Sequence, residues 1–401
     1  MDIMFVVPGY KPYMGGTERI VEQLGKQYLL TDRVKKVGVL TTFMDFNHLP
    51  PREDLSLPAV EVIDGFEVHR VRFVPRRLRF FYSLPAGLFS LEAKKVLDAF
   101  RPHVVHFTLS EWFVANLWIY WLTRSQSRHM FTLALHEPPE RLRYLLMHYG
   151  NVILGRCVDM VQVHSSFIKK RAMECYRVPE EKIHVVPLGC MPSSRPRSVR
   201  EQLPAGRLTL LAVGRLCPDK GQFELVRVFH SLIGKVHRSL RLILVGGDGG
   251  DRAGIEDYIR RNGLENHIEL RGFLSEEALE DVYRQADVFV LTTRVESFGL
   301  VFAEAQSHGL PVIGYRIGPL EAVFRKGAIL VEPFEQDAVA EAIRLLADND
   351  NLRNQLGLEA MEYALENFSW KRAAHDMVNL YGEMLSGNQG DETLGIKSLS
   401  S

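Results

Sequence analysis

Short apolar runs alternate with longer amphipathic stretches along nearly the whole chain. Ile3–Val7 is apolar throughout, as a strand buried on both faces must be. It is followed by Gly16–Leu30, where Ile20, Val21, Leu24 and Tyr28 recur at helical spacing. Lys36–Thr41 reads as the next strand, Glu61–Val74 as an alternating hairpin turning at Asp64-Gly65, and Leu88–Phe100 as a helix. His103–Phe107, Met130–Leu135 and Met160–His164 are further strands, each followed by a helical stretch. Such alternation predicts a parallel sheet covered by helices on both faces. It breaks over Pro187–Gly206, where Pro187, Pro192, Pro196 and Pro204 punctuate serines and arginines. It restarts with strands at Leu208–Val213, Leu242–Val245, Ile268–Leu270, Val288–Leu291, Val312–Ile313 and Ile329–Val331. The expected fold is α/β, with two Rossmann-like, doubly wound parallel-sheet domains at 1–188 and 207–369. A linker would occupy 189–206, an amphipathic helix 370–386 and a polar, disordered tail 387–401.

Composition narrows the classes. The 401 residues suffice for two ordinary domains, and 46% hydrophobic with 24% charged residues is a globular balance. Lysines plus arginines equal aspartates plus glutamates, so no overall basic field calls for nucleic acid. The four cysteines, Cys157, Cys175, Cys190 and Cys217, form neither a zinc pattern nor a disulfide framework, as in a reducing compartment. Met1–Pro8 has no basic region and too short an apolar run for a signal peptide. No stretch reaches the roughly 20 apolar residues that span a bilayer. The expected location is cytoplasmic. Against the neutral balance, five arginines stand among aromatics in His69–Tyr82. Arg70–Tyr82 reads either as a basic solvated hairpin face or as a peripheral contact with anionic lipid or a lipid pyrophosphate at the inner membrane face.

Ligands of open α/β sheets bind beyond the carboxyl ends of the strands, so the chemistry is sought there. Gly15 and Gly16 precede the first helix, where free amides and the helix dipole favour an anion; the plain alternative is a tight turn. Arg215 and Lys220 follow the strand that opens the second half. Two fixed cations there suit a diphosphate leaving group, on which charge grows as its bond breaks. Gly246-Gly247-Asp248-Gly249-Gly250 fails the G-x-G-x-x-G pattern, which disfavours a nicotinamide dehydrogenase, yet its glycines leave room for a diphosphate or base. Glu296 and Glu304 flank the Ser297-Phe298-Gly299-Leu300 turn and the start of a helix. One carboxylate can meet a sugar and the other a ribose, with helix amides between them facing phosphate. His136, at a strand end, is suited to bonding a sugar hydroxyl, relaying a proton, or a purely structural bond. His106 and His164 hold similar places and are taken as structural. No His or Cys cluster has ligand spacing, and the one D-x-D, Asp348-Asn349-Asp350, lies in a helix-to-helix turn. No metal or other cofactor is expected.

Gly15-Gly16-Thr17-Glu18, Val186-Pro187-Leu188-Gly189, Gly214-Arg215 with Lys220-Gly221, Gly246-Gly247-Asp248-Gly249, and Glu296 with Glu304 occur in that order across nearly the whole chain. In this the chain resembles the retaining glycosyltransferases of family 4, or group 1, which have the two-domain GT-B fold. The resemblance implies a cleft between an acceptor-side first domain and a nucleotide-sugar-binding second domain. It implies that the amide at Gly16 approaches the donor and that Arg215 and Lys220 bind its diphosphate. Glu296 would contact sugar hydroxyls, Glu304 the ribose, and the amides of Phe298, Gly299, Leu300 and Val301 the sugar–phosphate region. His136 would sit near sugar and acceptor, and the last helix would cross back to the first domain. The implied reaction is transfer of a hexose from a UDP- or GDP-sugar to a hydroxyl of a glycan or lipid-linked saccharide, with retention and without metal. An epimerase of the same fold and a non-catalytic nucleotide-sugar-binding subunit are the competing readings. Cys190-Met191-Pro192 after Val-Pro-Leu-Gly departs from the family's usual residues, at the floor of the cleft.

Overall fold

The computed structural model describes residues 1–13, 15–45, 52–72, 91–108, 113–134, 141–190 and 206–387, side chains at 91, 113–114 and 141–147 excepted. Two α/β domains follow one another. The first carries an eight-stranded sheet in the order Ile183–Val185, Met160–Val163, Arg128–Thr132, Val104–Phe107, Asp2–Val6, Lys36–Thr42, Phe66–Val71, Val60–Ile63. Its strands are parallel except the last, which pairs antiparallel with Phe66–Val71 about Asp64-Gly65. The second sheet has six parallel strands: Ile268–Leu270, Ser239–Val245, Arg207–Val213, Val288–Leu291, Val312–Tyr315, Ala328–Val331.

Strands covered on both faces explain the unbroken apolar runs. Along the first strand Ile3 and Phe5 enter one buried cluster while Met4 and Val6 enter another. The first of these clusters continues into the second domain through Val186, Leu188, Cys190, Phe368 and Trp370. Two passes of the chain therefore meet between the sheets. Cys190 N donates to the Phe368 carbonyl at 3.3 Å, and a Cβ on Gly189 would lie 2.2 Å from the Trp370 nitrogen. The unusual Cys190 is buried at this crossing, where desolvation pushes its thiol up to about 12.

The helix Trp370–Ser386 packs on Gly16–Leu29, and a buried chain of polar groups ties it to the first sheet. Tyr28 and Tyr381 hydroxyls lie 3.3 Å apart, and the Tyr381 hydroxyl is 2.6 Å from His106 Nδ1. His106 Nε2 is 2.6 Å from Thr132 Oγ1, which donates to Gln162 Oε1 at 2.6 Å; Gln162 Nε2 is in turn 3.4 Å from His164 Nδ1. With its own hydrogen spent on Gln162, Thr132 accepts from His106 Nε2–H, leaving Nδ1 to accept from Tyr381. Both histidines are thus structural and neutral.

Arg70 corrects one expectation. Its side chain does not join a basic outer face; it is buried, paired with Glu61, and donates to the carbonyls of Pro58 at 2.9 Å and Lys11 at 2.6 Å. The remainder of the basic segment from Phe73, the middle of the expected linker and the tail beyond Gly387 lie outside the described residues. Among those described, no helix is long and apolar enough to cross a membrane.

Burial pushes His106 down to about 3 and His164 to about 4, from an ordinary 6.5. Between those values and 6.5 the unfolded chain binds protons that the folded one refuses, so their contribution to stability is complete above 6.5 and is lost as pH falls. In thermal melts, the advantage of wild type over His106→Asn should therefore shrink steadily from pH 7 to pH 4. A gap independent of pH would contradict this assignment.

Candidate active site

In the second sheet Arg207–Val213 has Ser239–Val245 on one side and Val288–Leu291 on the other. Chain order reverses there, so the loops leaving Arg207–Val213 and Val288–Leu291 flank a crevice at the carboxyl edge. The first loop supplies Arg215 and Lys220, the second Glu296. Backbone contacts staple them together. Arg294 N donates to the Asp219 carbonyl and Thr292 Oγ1 to the Gly221 carbonyl, each at 2.8 Å. In this register Lys220 Nζ forms an ion pair with Glu296 Oε1, both largely shielded from water. Gly221 is indispensable to it: φ is +71°, and a Cβ would lie 2.3 Å from the Thr292 carbonyl oxygen.

The loop after Ser239–Val245 closes the side of the crevice. Leu216 N donates to the Gly247 carbonyl at 2.9 Å, and Gly249 N to the Leu216 carbonyl at 3.0 Å. A Cβ on Gly247 would meet nothing within 4 Å, so the glycine there leaves open space.

The turn Ser297–Gly299 is held from behind. Phe298 is buried, with its ring 5.4 Å from that of Phe368 and 6.3 Å from that of Phe324. It also meets His164 of the first domain edge-on at 6.3 Å. Phe298 therefore offers the site its backbone, while its side chain anchors the turn. Gly299 then takes a left-handed conformation and starts the helix Leu300–Ser307, whose first amides, at Leu300 and Val301, have no earlier turn to bond. Glu304 follows in that helix and is buried, not solvated. Tyr283 OH donates to its Oε2 at 3.0 Å. Burial raises the Glu304 carboxyl, and Arg19 and the tyrosine bond oppose that rise.

Helix Gly16–Leu29 faces this arrangement from the first domain. Gly15 N donates to the Glu18 carboxylate at 2.9 Å, and a Cβ on Gly16 would meet nothing within 4 Å. Removal from water pushes the Glu18 carboxyl up to about 7, against the pull of backbone donors and of the Arg215 guanidinium. The next residue, Arg19, pairs with Glu304 at 3.1 Å and Glu276 at 3.5 Å.

The structure thus joins Lys220 to Glu296 directly and pairs Glu304 with Arg19 of the opposing helix, while the exposed Arg215 acts on Glu18 through its charge. Gly15, Gly16, Gly247, Phe298, Gly299, Leu300 and Val301 border the same region; His136 lies outside the described residues. Arg19, Glu276 and Tyr283 were not foreseen. Arg19 directly follows the Gly-Gly-Thr-Glu motif, which was a usable signal, but its partners lie on the other domain. Among the described residues no group of three or more His, Cys, Asp or Glu is placed to hold a metal ion.

Residues 14–193 match the family model described as Glycosyltransferase Family 4, and residues 195–363 that of Glycosyl transferases group 1. The chain is 34% identical over 187 residues to the D-inositol 3-phosphate glycosyltransferase of Corynebacterium diphtheriae, covering 45% of this chain and 44% of that protein. It thus spans about half the length of the first such relatives. With the protein of that name from Kineococcus radiotolerans it shares 27% identity over 362 residues, 81% of this chain and 82% of the relative. Among solved structures, sucrose-phosphate synthase from Thermosynechococcus elongatus superposes with a TM-score of 0.77 at 22% identity, covering 96% and 100% of the two chains. Anabaena HepE in complex with UDP-glucose gives 0.72 at 21%, covering 97% and 100%. The fold is GT-B.

Replacing Gly221 with Ala should cost at least about 1–2 kcal/mol in denaturant titrations, because a left-handed alanine is strained even before its clash with Thr292. Stability equal to wild type would mean that the two loops are not stapled as described.

Proposed function

Since the chain belongs to the group 1, family 4 glycosyltransferases, we propose that it moves a hexose from a UDP- or GDP-sugar to a hydroxyl of a glycan or lipid-linked saccharide, with retention of configuration and without a metal ion. The observation that carries this reading is the Lys220–Glu296 pair at the switch point, with Arg215 and the buried Glu304 around the same crevice.

In the reaction the bond from the sugar C1 to the donor phosphate breaks, and its electron pair leaves with the diphosphate. The acceptor oxygen bonds C1 on the same face, and its proton passes to the departing phosphate oxygen. Arg215 and Lys220 neutralise the charge that grows on that group, because cations positioned in advance stabilise it without reorganising. Lys220 then shares its charge between phosphate and Glu296, which holds the carboxylate ready for sugar hydroxyls. Glu304 accepts from the ribose, the Gly16 amide and the amides of Phe298–Val301 approach the sugar–phosphate, and Gly247 leaves room for the diphosphate or base. His136 is assigned to the sugar and acceptor. The UDP-glucose in the HepE complex supports trying UDP first.

A thermal-shift screen with UDP, GDP, ADP and their sugars tests the donor, because a ligand of the native state raises the melting temperature. Turnover of the stabilising sugar nucleotide only when an acceptor is added supports a transferase; fast interconversion without one would reassign the chain as an epimerase. Glu304→Ala should weaken nucleotide binding by about 1–3 kcal/mol, the cost of losing a charged hydrogen bond. Unaltered affinity by calorimetry would remove Glu304 from the ribose.

A further inference from the structure

Gln222 has no part in the reaction described above, yet it is wholly buried where the helix Gln222–Leu232 begins, directly after the loop that carries both cations. Its Nε2 donates to the carbonyls of Gly214 and Arg215, each at 3.0 Å. Both partners are acceptors, so the amide must turn its NH2 towards them, and its two hydrogens answer two oxygens. Among uncharged side chains only asparagine and glutamine carry such a pair of donors on one nitrogen. The same stretch of backbone is held at other points. Gly214 N donates to the Val245 carbonyl and Leu216 N to the Gly247 carbonyl, each at 2.9 Å. A Cβ on Gly246 would lie 2.0 Å from the Gly214 carbonyl oxygen, so a glycine at 246 is what lets that carbonyl lie where it does. Arg215 itself is exposed. With the peptides on both sides of it fixed, its guanidinium can be moved only by its own side-chain torsions.

We propose that Gln222 is a positioning residue that holds the Arg215 backbone so that the guanidinium meets the donor diphosphate. The inference rests on the donor reading given above. Three consecutive residues then set the register of both cations: Lys220 pairs with Glu296, the Gly221 carbonyl accepts from Thr292, and Gln222 fixes the peptides around Arg215. The amide touches no substrate atom and acts only through the arginine. Backbone ordered in advance spares the binding step that part of the entropy cost.

Calorimetry on the full chain with UDP and GDP, and with uridine and guanosine, tests this. Gln222→Met is similar in length and volume but has no donors. It should bind the diphosphate about tenfold more weakly than wild type, the order of one hydrogen bond to a charged group. Binding of the nucleoside, which has no phosphate for Arg215 to meet, should be unchanged. In an Arg215→Ala background the same substitution should bring no further loss, because the side chain it positions is gone. Gln222→Asn, with both donors on a shorter arm, should lose less than Gln222→Met, and it carries the same comparisons if the methionine variant does not fold. Equal losses for diphosphate and nucleoside would make Gln222 a merely structural residue and overturn the proposal. Full additivity with Arg215→Ala, or unchanged diphosphate binding, would overturn it too. Should wild type itself bind neither UDP nor GDP, the donor reading falls and takes this role of Gln222 with it, a result seen before any variant is made.

Discussion

The two domains are joined by two passes of chain, and these lie so close at Gly189 that any side chain there would strike the Trp370 backbone. That closeness sets how the carboxyl edges of the two sheets face each other. Cys190, Phe368 and Phe298 continue the contact inward by a backbone hydrogen bond and ring packing, up to the turn that launches the Glu304 helix. The crossing and the site are one packed unit. Interiors packed at this density transmit displacement instead of absorbing it, and misplacing a reacting group by about 1 Å costs on the order of a hundredfold in rate.

Charge in the cleft is arranged by two distinct means. Lys220 and Glu296 come from neighbouring loops of one domain, whose staples guarantee the pair whatever the other domain does. Arg19 and Glu304 come from opposite domains, so their contact depends on how the two domains are placed. Burial pulls the second acid toward its neutral form, and only the arginine and the Tyr283 hydroxyl resist. A buried carboxylate without such partners would be costly.

Much of this was legible from residue order. Parallel strands with both faces covered leave short apolar runs, and Ile3–Val7 and Val288–Leu291 stand within a residue of the strands observed. Where strand starts are polar the reading fell short: Ser239–Val245 begins three residues before Leu242, because the backbone ladder runs through exposed Ser239 and half-buried Arg241, which interrupt the apolar run on either side of buried Leu240. The loops bearing Arg215, Lys220 and Glu296 were found from their position after strands. The Lys220–Glu296 contact itself depends on loop register, and Arg19–Glu304 on the placement of whole domains, neither of which has a local signature. Phe298 and Arg70 show the two ways a side chain can be withdrawn from a surface. The first is a site residue whose side chain belongs to the core; the second is a charge in a basic run whose side chain is consumed by Glu61 and nearby carbonyls.

The hydrogen-bonded chain from Tyr28 to His164 has a bearing on biosynthesis. Every described strand of the first sheet leaves the ribosome long before Tyr381, yet among the described residues His106 Nδ1 finds its partner on that tyrosine. Until the helix Trp370–Ser386 arrives, the nascent amino-terminal half lacks the partner of that nitrogen and the cover over Tyr28. The first sheet's polar chain is therefore completed only once the helix Trp370–Ser386 has been made.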